Sequence, residues 1–383
     1  WPLRMVGMLI AQASRASAAG GRIHEVLATD AAVADPDHPV ALPDGPGLLT
    51  FEGVSFAYST GRRVLDGLDL ELRGGEAVAI VGATGSGKTT VARLVPRFYD
   101  VAAGRVRLDG VDVRDLRLAT LRDEVGIVFE DTFLFSDSVR ANIAFSDPGA
   151  PMDVVERAAR LAGAHDFIAA LPDGYDTVIG EHGFSLSGGQ RRRVDIIRLL
   201  FQQPEVMILD EPTNHLDASA KRWLMDELAA FDGTMLVISH DLELLDRSID
   251  KVLHLQDGRL TEYRGNYSSF TVRLGEDIAQ REKAAAQEAK EIKRLSTLAD
   301  SMRGQTEKRA KTAKALDRRV ERMEANRTEV RRSERAVRLR IPTPTRSGAT
   351  PLEVDGLAVR YGSLQVLRRV GFAVHGGERI AVV

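Results

Sequence analysis

Short apolar runs alternating with polar, glycine-containing turns fill residues 49–270. Leu49–Tyr58 and Val64–Leu72 alternate apolar and polar positions, so each reads as a strand with one buried face. Ala77–Val81, Val125–Phe129, Val206–Leu209 and Thr234–Ile238 are instead nearly continuous apolar runs, the pattern of strands buried on both faces. Helical spacing lies between them, at Thr90–Val95, from Val139 through Leu171 with breaks at Pro148 and Pro151, and from Arg191 to Phe201. Buried runs alternating with helices predict an α/β fold around a parallel sheet, preceded by two half-buried strands.

The flanks differ in character. Residues 1–30 read as a helix, with Leu3, Met5, Val6, Met8, Leu9 and Ile10 giving way to Ile23, Val26 and Leu27. Two readings fit: a helix packed on the domain, or the cytoplasmic end of a last transmembrane helix whose upstream part lies outside this sequence. The Pro- and Gly-rich stretch 31–48 reads as a linker. Residues 271–340, rich in Ala, Glu, Lys and Arg, predict two long helices turning near Gly304, and 341–351 a second linker. Residues 352–383 repeat residues 51–81: Gly376-Gly377-Glu378-Arg379-Ile380-Ala381-Val382-Val383 aligns with Gly74-Gly75-Glu76-Ala77-Val78-Ala79-Ile80-Val81, and Tyr361 answers Tyr58. With Trp1 as first residue and the repeat stopping where its phosphate loop would begin, both ends are expected to be cut.

Composition changes this picture in two places. The chain of 383 residues has no cysteine, which excludes disulfides and thiolate sites. Its net charge of −3 is uneven, because residues 271–340 carry a local +8 and leave −11 on the rest. The more basic second arm, with Arg318, Arg319, Arg331, Arg332, Arg335, Arg338 and Arg340, fits either a solvated helical face of coiled-coil type or contacts to phosphates of nucleic acid.

Four motifs carry candidate chemistry. Gly82-Ala83-Thr84-Gly85-Ser86-Gly87-Lys88-Thr89 matches the phosphate-loop pattern, with an apolar strand before it and a helix starting at Thr90 after it. Backbone N–H groups of such a loop curl around a phosphate, Lys88 reaches its outer oxygens and the Thr89 hydroxyl ligates Mg²⁺. Ser187-Gly188-Gly189-Gln190 opens a helix and reads as a second anion cradle or a plain turn. Asp210 and Glu211 end a buried strand, where Asp210 suits a Mg²⁺ shell and Glu211 can orient or deprotonate a water. His240 follows another buried strand toward the same sheet edge.

Phosphate loop, Leu186-Ser187-Gly188-Gly189-Gln190, strand–Asp–Glu and strand–His, in this order over residues 49–270, resemble the ATP-binding cassette (ABC) ATPases. The resemblance implies a P-loop cassette with an antiparallel β subdomain and a helical subdomain. It also implies that ATP and Mg²⁺ are bound and ATP hydrolysed. Tyr58 would stack on adenine, and residues 82–90 with Lys88 would hold phosphates. Thr89, Asp210 and Glu130 would attend the metal, Glu211 would be the catalytic base, and His240 would contact the terminal phosphate. Asp217 would lie in the loop after the acidic strand. Ser187, Gly188, Gly189 and Gln190 would serve the nucleotide of a second cassette, so a dimer is implied. Glu130 departs from the family's usual Gln and adds negative charge there.

Before the signature loop the chain resembles an exporter half-transporter, on residues 1–30, Phe129–Ser136 and Thr177–Gly183. Over residues 186–383 it resembles the ABC-F proteins, soluble twin-cassette factors that act on ribosomes, on Glu211-Pro212-Thr213-Asn214-His215-Leu216-Asp217, Gly265-Asn266-Tyr267, the basic helical hairpin and the truncated start of a second cassette at 352–383. The joint at Ser185–Arg193, common to both, marks the chain as a hybrid of the two. The resemblances imply a cytoplasmic protein, held at the inner face of the cell membrane in the exporter reading. Three functions follow as expectations: the motor of a membrane exporter beside an upstream transmembrane domain, a ribosome-associated factor touching RNA through its basic hairpin, or a fragment that only binds ATP.

Overall fold

The computed structural model describes residues 2–29, 31–59, 61–180, 186–302, 307–325, 352–361, 364–378 and 380. They divide into two compact units, residues 1–280 and 281–383. In the first unit, helix α1 (Pro2–Ala28) precedes strands β1 (Leu49–Ala57), β2 (Arg63–Leu72) and β3 (Ala77–Val81), helix α2 (Lys88–Leu94), and strands β4 (Ala103–Leu108) and β5 (Val111–Asp112). Helix α3 (Leu118–Glu124) and strand β6 (Val125–Val128) lead to a helical group, α4 (Val139–Ile143), α5 (Met152–Leu161), α6 (His165–Ala169) and α7 (Gly188–Gln202). Strand β7 (Val206–Asp210), helix α8 (Ala218–Ala229), strand β8 (Thr234–Ile238), helix α9 (Leu242–Arg247), and strands β9 (Lys251–Gln256) and β10 (Arg259–Arg264) follow, before helix α10 (Tyr267–Met302). The charged helical stretch therefore starts four residues before the expected 271.

Two sheets organise this unit. The apolar runs pair in the order β10-β9-β3-β8-β7-β6, parallel except for β10, while β2-β1-β4-β5 form an antiparallel sheet. In register, Ala77 faces Met235 across β3–β8 and Asp210 faces Ile238 across β7–β8, so β3, β7 and β8 all end at one edge. The segments that follow them bring Gly82, Asp210, Glu211 and His240 to that edge, as a parallel sheet requires. Every residue of β7 and β8 is buried, as their unbroken apolar pattern implies. Strand β6 stops at Val128, two residues before Glu130, which lies beyond the sheet.

Residues 31–48, expected as a linker, are fastened to the domain. Asp35 Oδ1 accepts the Leu118 N–H at the start of α3, the Val40 N–H reaches the Asp115 carbonyl, and Asp109 Oδ1 accepts from Leu48. Lys251, on β9, fixes the corner between β2 and β3. Its nearly buried ammonium donates to the Glu71 carbonyl at 3.1 Å and the Glu76 carboxylate at 2.9 Å. Burial pushes the Glu76 carboxyl up, but Lys251 and the Arg73 N–H outweigh it, and the pKa ends below the ordinary 4.5.

Helix α7 packs tightly under the loop after β7. A Cβ on Gly189 would stand 2.7 Å from the His215 carbonyl oxygen, closer than side chains approach backbone, whereas one on Gly188 would meet His215 side-chain atoms at an ordinary 3.5 Å. In the second unit the remainder of α10 and α11 (Glu307–Ala325) bury Leu295, Ala299 and Ala313, and strands β11 (Leu352–Tyr361) and β12 (Leu364–Val374) form an antiparallel hairpin. Gly304, Arg331, Arg332, Arg335, Arg338 and Arg340 lie outside the described residues.

Two outcomes test this packing. Gly189→Ala destabilises the protein by about 1–3 kcal/mol because the His215 loop must shift, whereas Gly188→Ala is neutral or stabilising by up to about 1 kcal/mol through helix propensity, both read by thermal unfolding. Lys251→Met costs about 1–3 kcal/mol by urea unfolding at neutral pH. It also flattens the acid dependence: a depressed Glu76 pKa contributes stability above its unfolded value of 4.5 that is lost as pH falls through the folded one.

Candidate nucleotide site

The phosphate loop leaves β3 at Gly82 and enters α2 at Lys88. Gly87, the residue before the helix, sits at φ 107, a conformation that a side chain would strain, and it turns the first amides of α2 inward over the loop. The Lys88 ammonium bridges the loop, donating to the Gly82 carbonyl at 2.9 Å and the Ala83 carbonyl at 3.2 Å. Ser86 Oγ is buried inside this loop with no hydrogen-bond partner among the described residues. A cradle of amides with a lysine across its mouth and an unmatched hydroxyl inside is built for an anion with several oxygens.

The next residues join the loop to the sheet. The Thr89 hydroxyl donates to Asp210 Oδ2 at 2.9 Å. Asp210 is buried, and burial raises its carboxyl, against the Thr89 hydrogen bond and with the charge of Glu130 adding to the rise. A carboxylate held in this state gains from a cation beside it, and the paired hydroxyl and carboxylate oxygens fit Mg²⁺. Glu130 is exposed and lies within electrostatic reach of Asp210 and Glu211.

Glu211 has φ 50, an uncommon backbone for a glutamate, held by its N–H donating to the Ile238 carbonyl at 2.7 Å. Its carboxylate accepts the His240 backbone N–H at 3.3 Å and lies 3.5 Å from His240 Nε2. Burial raises the Glu211 carboxyl above the ordinary 4.5, with the His240 N–H working against it. A buried carboxylate with raised basicity, aimed at an exposed histidine at the sheet edge, can take a proton from water.

The remaining expected residues fall in three places. Tyr58 donates or accepts at Thr90 Oγ1, 3.1 Å away, and packs edge-on against Phe56 and Tyr99. Ser187 to Gln190 are the N-cap and first turn of α7, as the sequence implies. Ser187 Oγ accepts the Gln190 N–H and Gln190 Oε1 accepts the Ser187 N–H, a reciprocal cap. The helix start still directs the amides of Gly188 and Gly189 outward with the positive end of the helix. Asp217 caps α8 through the Ala220 N–H and pairs with Arg193 of α7 at 2.8 Å. Ser219 and the Ala220 N–H hold its carboxyl below the ordinary aspartate value.

Residues that local reading passed over prove central. Arg192, fully buried in α7, donates to the carbonyls of Phe129 and Glu130, and His215 roofs Gly189. The only sequence signal was the run Arg191-Arg192-Arg193, whose middle member faces inward on a helix whose neighbours Val194, Ile196 and Ile197 are also buried.

Comparison with known proteins gives the family. An ABC transporter family model matches residues 65–214 and another of the same description matches 253–339. The chain is 42% identical over 257 residues to an ATP-dependent lipid A-core flippase of Syntrophus aciditrophicus, covering 67% of this chain and 42% of that one. It is 41% identical over 261 residues to a multidrug efflux ATP-binding/permease protein of Mycobacterium tuberculosis, covering 67% of this chain and 22% of that one. The solved structure of a bacterial Atm1-family ABC exporter with ATP bound superposes with a TM-score of 0.61 at 37% identity, over 71% of this chain and 48% of that one. The chain thus spans less than half the length of these relatives. They support an exporter cassette over a ribosome-associated factor and give no support to a hybrid with the ABC-F proteins. With its phosphate loop, buried aspartate and strained glutamate on one sheet edge, the chain carries an ATP-hydrolysing cassette of the ABC transporter family.

Proposed function

We propose that residues 49–270 are the nucleotide-binding motor of an ABC-type exporter that moves a lipid or drug-like amphiphile. The observation that carries this is the meeting of Lys88, Thr89, Asp210, Glu211 and His240 at one edge of the parallel sheet, in a chain whose relatives are flippase and efflux proteins. Two surfaces add support for a membrane partner. Phe133, Phe135 and Phe145 are exposed together, with Phe135 and Phe145 stacked at 4.7 Å, in the segment that resembles exporters. Helix α1 also exposes Met5, Val6, Met8, Leu9 and Ile10. Among the described residues no helix is long and apolar enough to cross a membrane.

Residues 82–90 bind the phosphates through backbone amides, and the Lys88 ammonium supplies charge that offsets theirs. Tyr58 offers a ring to adenine. Thr89, Asp210 and Glu130 would hold Mg²⁺, which when bound would neutralise charge on the transferred phosphoryl group. Glu211 aligns water and accepts its proton, and His240 contacts the outermost phosphate. Asp217 holds the loop after Glu211 against α7 through Arg193. Ser187, Gly188, Gly189 and Gln190 present the positive end of α7 to the nucleotide of a second cassette, so the working form is a dimer at the cytoplasmic face of a membrane.

Lys88→Ala abolishes tight ATP binding by calorimetry, whereas Glu211→Gln keeps binding and lowers turnover by 100-fold or more, on the order expected for loss of a general base. Retained hydrolysis in the Glu211 variant would remove it from the base role. Because the base must be ionised and its carboxyl is raised, turnover falls as pH drops through a value above the ordinary 4.5, and Glu211→Gln lacks this acid limb.

A further inference from the structure

Below its first turn helix α7 carries Arg192, Asp195 and Arg198 on its inward side, and the two arginines reach a single stretch of backbone. Arg192 has no exposed surface, yet it is a guanidinium, and burying one costs more than burying an apolar chain of its size. Two of its nitrogens donate to successive carbonyls, one to Phe129 and one to Glu130. Among the described residues its Nε finds no hydrogen-bond partner, so the buried charge is only partly matched. Asp195, equally buried, lies 3.9 Å from Arg192 and is paired with Arg198. Arg198 in turn donates to the Phe133 carbonyl at 3.3 Å. The stretch 129–133 is therefore strapped to α7 at three carbonyls, by side chains that local sequence patterns would place in solvent.

The position of this strap gives it a consequence. Glu130 follows the end of β6 without a strand partner, so nothing in the sheet fixes its direction. Arg192 also lies within electrostatic reach of Asp210, Asp131, Asp195 and Glu130, a buried cation among four carboxylates. An apolar residue there would fill the space more cheaply, but it would leave two backbone carbonyls unmatched and Glu130 unaimed.

We propose that Arg192 is a positioning residue for the metal side of the nucleotide site: its guanidinium fixes the Phe129–Glu130 backbone so that the Glu130 carboxylate is presented to the divalent cation, and it ties that presentation to the helix that begins at Ser187. This rests on the reading of Glu130 as a ligand of Mg²⁺ bound with ATP. The carboxylate that replaces an amide at position 130 is held in place, and partly neutralised, by the cation two residues beyond Gln190. Partners outside a ligand shell commonly change metal affinity by about 10- to 100-fold when removed, because they fix the ligand's direction.

The experiment uses the full 383-residue chain and the variants Arg192→Gln, Arg192→Lys, Glu130→Ala and Arg192→Gln with Glu130→Ala. Calorimetry of ATP at stepped Mg²⁺ concentrations gives the metal requirement, and amide exchange across residues 126–135 gives the state of the strapped backbone. In Arg192→Gln the Mg²⁺ concentration needed for half of full ATP affinity rises about tenfold or more, while ATP affinity without Mg²⁺ stays at the native value. Exchange of the Glu130 and Asp131 amides speeds up about tenfold, as a released local segment does. Adding Arg192→Gln to Glu130→Ala raises the metal requirement no further, since the ligand to be aimed is gone. Arg192→Lys keeps the charge without the paired donors and falls between native and Gln; it carries the same comparison should the Gln variant not fold. Additive losses in the double variant, an equal fall in ATP affinity without Mg²⁺, or native exchange at Glu130 and Asp131 would each overturn the proposal. A native chain that bound no Mg-ATP would overturn the ATPase reading instead, and the exchange comparison would still decide the strap.

Discussion

The hydrogen bond from Thr89 to Asp210 joins the two halves of the site. It links the first turn of the helix after the phosphate loop to the last residue of a strand buried on both faces. Asp210 has no solvent to stabilise its charge, so its carboxyl is raised, and a hydroxyl donor or a cation must do that work. The loop is therefore held against the strand through the same oxygens that fit a metal. Glu211 follows at once with a left-handed backbone, which turns its carboxylate away from the strand direction and toward His240. Position and strain at 210–211 both come from the sheet, because β7 is flanked by β6 and β8 and cannot move independently.

What was legible in the sequence was legible for local reasons. A phosphate loop needs its glycines and lysine at fixed spacing, and the apolar runs before Gly82, Asp210 and His240 could be buried only as parallel strands. Those two facts suffice to place three motifs on one edge. The spacing could not show contacts between elements far apart in the chain. Asp35 reaches the start of α3 from what reads as a linker, because a Pro- and Gly-rich stretch looks the same whether free or fastened. Arg192 sits in a run of three arginines that pattern alone assigns to a solvated surface, yet a helix has one inward face and the middle arginine lies on it. Ser187 and Gln190 suit an anion by their pattern, but they also close the start of their own helix. Their local role and the proposed one share a cause, because a helix N-terminus has amide donors to satisfy.

The repeat at the end of the chain separates pattern from burial. Strands β11 and β12 pair Leu352 with Val374 and Leu357 with Val370, as β1 and β2 pair Leu49 with Leu72 and Val54 with Leu68. The turn after each hairpin is closed the same way, with the His375 N–H on Glu378 and the Arg73 N–H on Glu76. Yet Leu357 and Phe372 are 42% and 40% exposed, whereas their counterparts Val54 and Leu70 are 0% and 7% exposed. The alternation of residues encodes the hairpin and its register, but the burial of its apolar face comes from β4, α2 and the parallel sheet. A hairpin alone is marginal in water, so the first one owes its stability to that packing.

The same distinction bears on the negative charge of the site. Glu130 adds to the rise of the Asp210 and Glu211 carboxyls, and Asp210 adds to that of Glu211. Three carboxylates around a polyphosphate would repel it unless cations intervene. Lys88 supplies one charge at the loop, and Arg192 supplies another from beneath the Glu130 segment, without exposing itself to the ligand. In the proposed reading a glutamate at position 130 is tolerable because its backbone is held by a buried cation and a bound divalent ion would offset its charge. The cost of burying Arg192 and the cost of concentrating carboxylates then offset each other, and neither residue can be understood from its own position in the sequence.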